Sequence, residues 1–127
     1  MRLEAERLLK QAERDLVNAA KNVEIAAHEV AAFLAEQAVE KHLKAAWMVV
    51  KRDAPPYTHS LTELGDALGV PAALRQHLVG LNADYTTARY PDAANGVPYE
   101  IYDRPTAESK VAAAREVFGW LRSLTSG

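Results

Sequence analysis

The chain has no cysteine, few aromatic residues and no large surplus of either charge. The absence of cysteine excludes disulfides, thiol nucleophiles and cysteine-ligated zinc or iron–sulfur sites. The 15 basic and 17 acidic side chains give a net charge of −2, which argues against broad electrostatic binding to duplex nucleic acid but permits a local basic pocket. No apolar run approaches the roughly 18 to 20 residues that span a bilayer, and the N-terminus does not resemble a secretory signal. We therefore expect a soluble cytoplasmic protein.

Alanine and leucine are abundant in the 127 residues, and this composition favours helix. Apolar positions spaced three and four apart predict long helices over residues 3–25 and 30–52. A short helix should follow the Ser60 cap, a fourth should run from Pro71 to just before Pro91, and Asp103 should open the last. Short connections place sequential helices side by side. The sequence thus predicts one all-α domain over residues 1–127, an antiparallel up-and-down bundle of four to five helices.

Residues 89–104 differ in composition from the helices, because prolines and an Asn-Gly pair punctuate them and tyrosines are concentrated there. We predict one long irregular loop, and such loops often carry function. Arg89 next to aromatic rings could bind phosphate while a tyrosine stacks on a base. Alternatively, Arg89 and Asp92 simply pair across a turn. The candidate ligand-binding residues are Arg89, Tyr90, Asp92, Tyr99 and Tyr85, with Lys41 and Lys44 of the second helix.

Projected at about 100° per residue, the second helix has two faces. One carries small apolar side chains and is the predicted core face, on which His42 should be a core histidine with its hydrogen bonds satisfied. The other is a polar stripe bordered by two aromatic residues, and its candidate interface residues are Phe33, Gln37, Glu40 and Trp47. These aromatics could fill a second packing surface within the chain. They could also meet a partner subunit or an anionic ligand, and we expect a homodimer or higher homo-oligomer on that basis.

Several short motifs occur together and in order. Phe33 to Ala46 reads FLAEQAVEKHLKAA, Thr58 to Leu61 reads THSL, and Tyr85 is followed by the RYPD sequence at Arg89 to Asp92. With these motifs the chain resembles the HEPN domain, a helical family named for higher eukaryotes, prokaryotes and nucleotide binding. The resemblance extends from Arg14-Asp15-Leu16 to the Ala-rich final segment.

This resemblance implies a four- or five-helix bundle that is usually dimeric. Free-standing prokaryotic members are often encoded beside a minimal nucleotidyltransferase, as a two-component or toxin–antitoxin pair. For this chain the resemblance therefore implies a nucleotide- or RNA-binding protein that is the partner subunit of a separate nucleotidyltransferase. Its ligand would be a nucleotide or single-stranded RNA. A purely structural dimerisation module is a further alternative.

One branch of the family consists of metal-independent ribonucleases with an Arg, four to six residues and then a His. Such a pair suits RNA cleavage, since the His moves protons and the Arg stabilises charge on the phosphate. This chain departs from the pattern because no histidine follows Arg89, and the formal match of Arg52 with His59 crosses two prolines. An endoribonuclease using His59 with Arg52 or Arg89 is therefore the enzyme alternative. The simplest interpretation of His59 is a residue at the start of a helix whose ring hydrogen-bonds a backbone group of the loop.

No pair of histidines has the i,i+4 spacing of metal ligands, and no glycine-rich phosphate loop or nucleophile motif is present. We therefore expect no metal and no cofactor.

Overall fold

The computed structural model describes residues 2–126, so Met1 and Gly127, the ends of the predicted domain, lie outside the described residues. Within that range the regular elements are all helices: α1 Arg2–Glu24, α2 His28–Lys51, α3 Leu61–Ala67, α4 Ala72–Asn82, α5 Asp84–Thr87, α6 Pro91–Ala94, α7 Pro98–Ile101 and α8 Arg104–Thr125. The three helices from α5 to α7 are single turns of four residues. The predicted all-α bundle is confirmed.

Four helices form the up-and-down bundle: α1, α2, α4 and α8. A three-residue connection, 25–27, reverses the chain between α1 and α2. Helix α8 is antiparallel to α4, because His77 meets Glu116 whereas Gly80, further along α4, accepts a hydrogen bond from Lys110, earlier on α8. Helices α1 and α2 are thus antiparallel, as their short connection requires, and α4 and α8 are antiparallel as well.

The core lies where α1, α2 and α8 meet, with α3 and α4 covering one side. Small side chains of α2 are fully buried there, which lets α1 and α8 approach closely. Phe118 is the largest fully buried side chain, and its ring lies 4.5 Å from His42 in an edge-to-face contact at 82°. His42 is itself 0% exposed, which confirms its predicted place in the core. Its Nε2 lies 3.4 Å from Thr125 Oγ1, but its Nδ1 has no hydrogen-bond partner within residues 2–126, so the hydrogen bonds of the ring are not all satisfied, contrary to the prediction. Gly65 brings α3 against α4, since a Cβ at this position would collide with Leu78.

Two side-chain caps start the helices that frame the later part of the chain. Ser60 Oγ accepts from the Glu63 amide at 3.2 Å and begins α3. Asp103 Oδ1 accepts from the Thr106 amide at 2.9 Å and begins α8. Both starts agree with the sequence, because a short polar side chain can satisfy an amide that has no partner in the first turn.

The segment between α4 and α8 differs from the prediction in two ways. The predicted fourth helix, expected to continue to Pro91, ends at Asn82 and resumes as the single turn α5. The predicted irregular loop contains two further single turns, α6 and α7, and each begins at a proline. Proline fits the first helical position because its φ is preset and its missing amide is not needed there.

Candidate functional site

A histidine on the loop 52–60 contacts the middle of α2. The Ser60 cap starts α3 directly after His59, and the His59 ring nitrogen Nδ1 lies 3.1 Å from both carboxylate oxygens of Glu40. The Glu40 carboxylate is buried beneath this contact, and Lys44 donates to its Oε2 at 3.1 Å. The His59 side chain remains 55% exposed. Glu40 therefore anchors an imidazole whose other edge is open to solvent.

The opposite side of this histidine borders α5. The rings of His59 and Tyr85 are stacked, with centroids 4.1 Å apart and planes at 19°. Tyr85 in turn contacts Arg89, whose Nε donates to the Tyr85 carbonyl oxygen at 2.6 Å. Residues four apart are neighbours on one face of a helical turn. The amide of Arg89 donates to the Thr86 carbonyl at 3.0 Å, so the turn continues past the end of α5 and brings the two side chains together.

The guanidinium of Arg89 lies among aromatic rings. Its central carbon is 4.5 Å from the ring centre of Tyr85, 4.7 Å from that of Phe33 and 4.9 Å from that of Tyr90. Within residues 2–126 no carboxylate forms an ion pair with it. Ring faces attract a cation without neutralising it, so the positive charge of Arg89 stays available to an anion.

Arg89 and His59 therefore lie in one site. Both contact the ring of Tyr85, so the guanidinium carbon and the imidazole centre are no more than about 9 Å apart. We call this the His59–Arg89 site, built from Phe33, Glu40, His59, Tyr85 and Arg89, with Lys44 and Tyr90 at its margins. It offers a guanidinium for a phosphate, an oriented imidazole and a half-exposed tyrosine ring for a base.

Other residues predicted for ligand binding make no hydrogen bond, ion pair or ring contact with Arg89 in the described part of the chain. Lys41 donates to Asp15 of α1 at 2.7 Å, and so faces the other side of α2. Asp92 forms no ion pair with Arg89 in the described part of the chain, and the Tyr85 carbonyl holds the guanidinium instead. Tyr99, on α7, is 68% exposed and makes no ring contact within residues 2–126.

Arg52 does not accompany His59. It follows the last turn of α2, twelve residues beyond Glu40, which is about 18 Å along the helix axis. There it lines an open groove of about 700 Å³ at the far end of the bundle, together with residues such as Arg2, Leu9 and Met48.

The predicted interface residues are only partly accessible. Trp47 packs against the core, with Lys51 5.6 Å above its ring, and Glu40 is taken up by His59 and Lys44. Gln37 donates to Glu36 at 2.7 Å. Phe33 packs beside Arg89 and against the small cluster formed by Ala32, Ala88 and Tyr102. This packing within the chain accounts for the aromatics on the stripe, and dimerisation through it stays a prediction.

Two buried acids behind the site were missed by the sequence analysis. Glu36, one turn before Glu40, is 0% exposed, and burial raises its pKa to about 8, with Glu40 and Asp84 adding to the effect. Asp84 accepts from the Tyr102 hydroxyl at 2.5 Å and lies 2.9 Å from Lys110. Burial and this carboxylate raise the pKa of Tyr102. The only signal for Glu36 was its position between Ala35 and Val39, two residues of the predicted core face.

No group of three or more His, Asp or Glu side chains in residues 2–126 is arranged to hold a metal ion. The helices of that range also include none with the length and apolar character needed to cross a membrane.

Comparison with known proteins identifies similar folds over nearly the whole chain. The family profile described as the HEPN domain matches residues 5–124. ST0689, an archaeal HEPN homologue of known crystal structure, is 31% identical, with a TM-score of 0.83 over 96% of this chain and 98% of its own. TT1696 from Thermus thermophilus is 27% identical, with a TM-score of 0.86 over 95% and 98% of the two chains. A HEPN domain protein from Thermotoga maritima, 24% identical, shares the fold with a TM-score of 0.74 over 94% and 98%. No curated protein matches.

Proposed function

Because the chain belongs to the HEPN domain family, we propose that it is a nucleotide- or RNA-binding protein, the non-catalytic partner subunit of a separate minimal nucleotidyltransferase in a two-component or toxin–antitoxin pair. The observation that carries the binding proposal is the Arg89 guanidinium, held by three aromatic rings and the Tyr85 carbonyl with no carboxylate to neutralise it among residues 2–126.

The surroundings of Arg89 suit a phosphate with a base beside it. The bond from Nε to the Tyr85 carbonyl fixes the guanidinium plane and leaves the terminal amino groups for a phosphate, which they can bind in a bidentate manner. Tyr90 is 54% exposed and can stack on a base. Arg89 is an exposed residue, so a phosphate can reach its guanidinium from solvent.

Binding by this site is tested with a single-stranded RNA oligomer and two variants. Arg89→Ala should weaken binding by about 1–3 kcal/mol, the range for a hydrogen bond to a charged group, which is roughly 5- to 150-fold. Asp92→Ala is the matched control, since Asp92 lies three residues away and has no ion pair with Arg89. It should bind like the wild type. Wild-type protein that binds neither RNA nor nucleotide would refute the proposal, as would equal effects of the two variants.

A metal-independent endoribonuclease is the second candidate, and one observation favours it. His59 is oriented by a buried carboxylate and shares the Tyr85 ring with Arg89, an arrangement in which imidazole can move protons while guanidinium stabilises a phosphate. On the binding proposal, purified protein leaves single-stranded RNA intact in the presence of a chelator. Cleavage that disappears in both His59→Ala and Arg89→Ala would establish the enzyme instead.

The partner proposal has its own test. A reading frame adjacent to the gene should encode a minimal nucleotidyltransferase with a G-S-x(10)-D-x-D pattern, and the two products should co-purify when expressed together. A neighbouring gene without that pattern, or a nucleotidyltransferase that does not co-purify, would contradict the pairing and leave the binding proposal standing.

A further inference from the structure

We propose that His59 recognises the 2′-hydroxyl of a ribose, so that the His59–Arg89 site distinguishes RNA from DNA. This inference rests on the proposed function, because it describes how a nucleic acid bound at Arg89 would be read. The 2′-hydroxyl is the group by which a protein can tell the two polymers apart at a given position.

The hydrogen bonding of His59 determines what its exposed edge can accept. Nδ1 faces both oxygens of the buried Glu40 carboxylate at 3.1 Å, and a carboxylate that also binds the Lys44 ammonium is an acceptor. Nδ1 of the neutral ring therefore carries the hydrogen, and Nε2 presents a lone pair. No side chain within residues 2–126 bonds to Nε2, and the side chain is 55% exposed. A ligand hydroxyl can therefore donate to it.

The ring of His59 is also held in a fixed plane. Tyr85 stacks on it, and the Ser60 cap fixes the backbone directly after it. A preoriented acceptor loses little freedom when it binds a ligand group, so a single hydrogen bond contributes more of its free energy.

The distance between His59 and Arg89 is within the reach of one RNA nucleotide. The guanidinium carbon and the imidazole centre are no more than about 9 Å apart, and the terminal amino groups of Arg89 extend beyond that carbon. In RNA the 2′-hydroxyl and the 3′-phosphate are substituents of adjacent carbons of one ribose. On this proposal, a ribose whose 3′-phosphate is bound by Arg89 donates its 2′-hydroxyl to His59 Nε2, whereas DNA offers no donor at that point.

The experiment compares two oligomers that differ only in the sugar, a hexamer of uridine and a hexamer of deoxyuridine, by fluorescence anisotropy. Wild-type protein should bind the RNA hexamer about 3- to 10-fold more tightly, the range for one net hydrogen bond. His59→Ala should bring this ratio close to one while keeping affinity for the DNA hexamer. Asp92→Ala should keep the wild-type ratio. Arg89→Ala should lower the affinity for both oligomers to the same extent.

The outcomes separate the two proposals. Binding of neither hexamer by the wild type would refute the proposed function itself. Equal binding of both hexamers would leave binding intact and overturn the role of His59. A ratio that survives in His59→Ala would overturn it as well, because another group would then read the sugar. The ratio of RNA affinity to DNA affinity is insensitive to a general loss of packing at Tyr85, because such a loss would lower the affinity for both oligomers alike.

Discussion

The buried carboxyl of Glu36 should make stability depend on pH in a direction opposite to that of most acidic residues. Its pKa rises from 4.5 in the unfolded chain to about 8 in the fold, because its side chain has no exposure to water and faces Glu40 and Asp84. Between these two values the folded state holds a proton that the unfolded state has released. The free energy of unfolding therefore falls as pH rises through this window.

The magnitude follows from the size of the shift. Each pKa unit corresponds to about 1.4 kcal/mol, so the loss is roughly 3 kcal/mol between pH 4.5 and 7 and at most about 5 kcal/mol by pH 8. Below pH 4.5 both states are protonated and this contribution no longer changes. A domain of this size is stabilised by only about 5–15 kcal/mol, so the effect is large enough to measure.

Urea unfolding of the wild type and Glu36→Gln at pH 5, 7 and 9 tests this reasoning. Glutamine has nearly the same shape and never ionises, so the variant should have similar stability at pH 5 and gain on the wild type by several kcal/mol at pH 9. Glu24→Gln, at the exposed end of α1, controls for the loss of one negative charge and should follow the wild-type curve. Parallel curves for the wild type and Glu36→Gln would refute the assignment of a neutral Glu36.

The remaining predictions concern the core and the assembly. Phe118→Ala should lower the free energy of unfolding by about 3–5 kcal/mol, because it empties a fully buried position next to His42; a loss below about 1 kcal/mol would contradict this packing. Burial lowers the pKa of His42 from 6.5 to about 4, so in this pH range the unfolded chain binds a proton that the folded chain does not. In the Glu36→Gln protein, where Glu36 no longer titrates, the free energy of unfolding should therefore fall by up to about 3 kcal/mol as the pH falls from 6.5 to 4. A free energy of unfolding that is independent of pH there would show a solvated His42. Light scattering should show a dimer or larger, whereas a monomer at micromolar concentration would argue against an interface at Phe33.

Most of the fold could be predicted from the sequence because its determinants are local. The 3.6-residue spacing of apolar side chains predicted the long helices, and Ser60 and Asp103 were identified as caps from the residues beside them. The single turns at Pro91 and Pro98 were missed, since prolines signal a helix start as well as a break and four residues show no periodicity.

The candidate site was predictable only where its contacts are short-range. Tyr85, Arg89 and Tyr90 are neighbours in sequence, and the structure brings them together. The contact of His59 with Glu40 joins residues 19 apart, and that of Lys41 with Asp15 joins residues 26 apart, so neither follows from spacing along one helix. Helix projection placed Lys41 and Lys44 near each other, but their separate carboxylate partners turn them to different sides of α2.

The most direct test of the central claim is an amide NMR titration of the wild-type protein with the uridine hexamer. The account predicts that the largest shifts occur at residues 58–60 and 85–90, which form the His59–Arg89 site, and that these shifts are lost in Arg89→Ala. Shifts concentrated instead in the groove lined by Arg2 and Arg52, or no shifts at all, would contradict it.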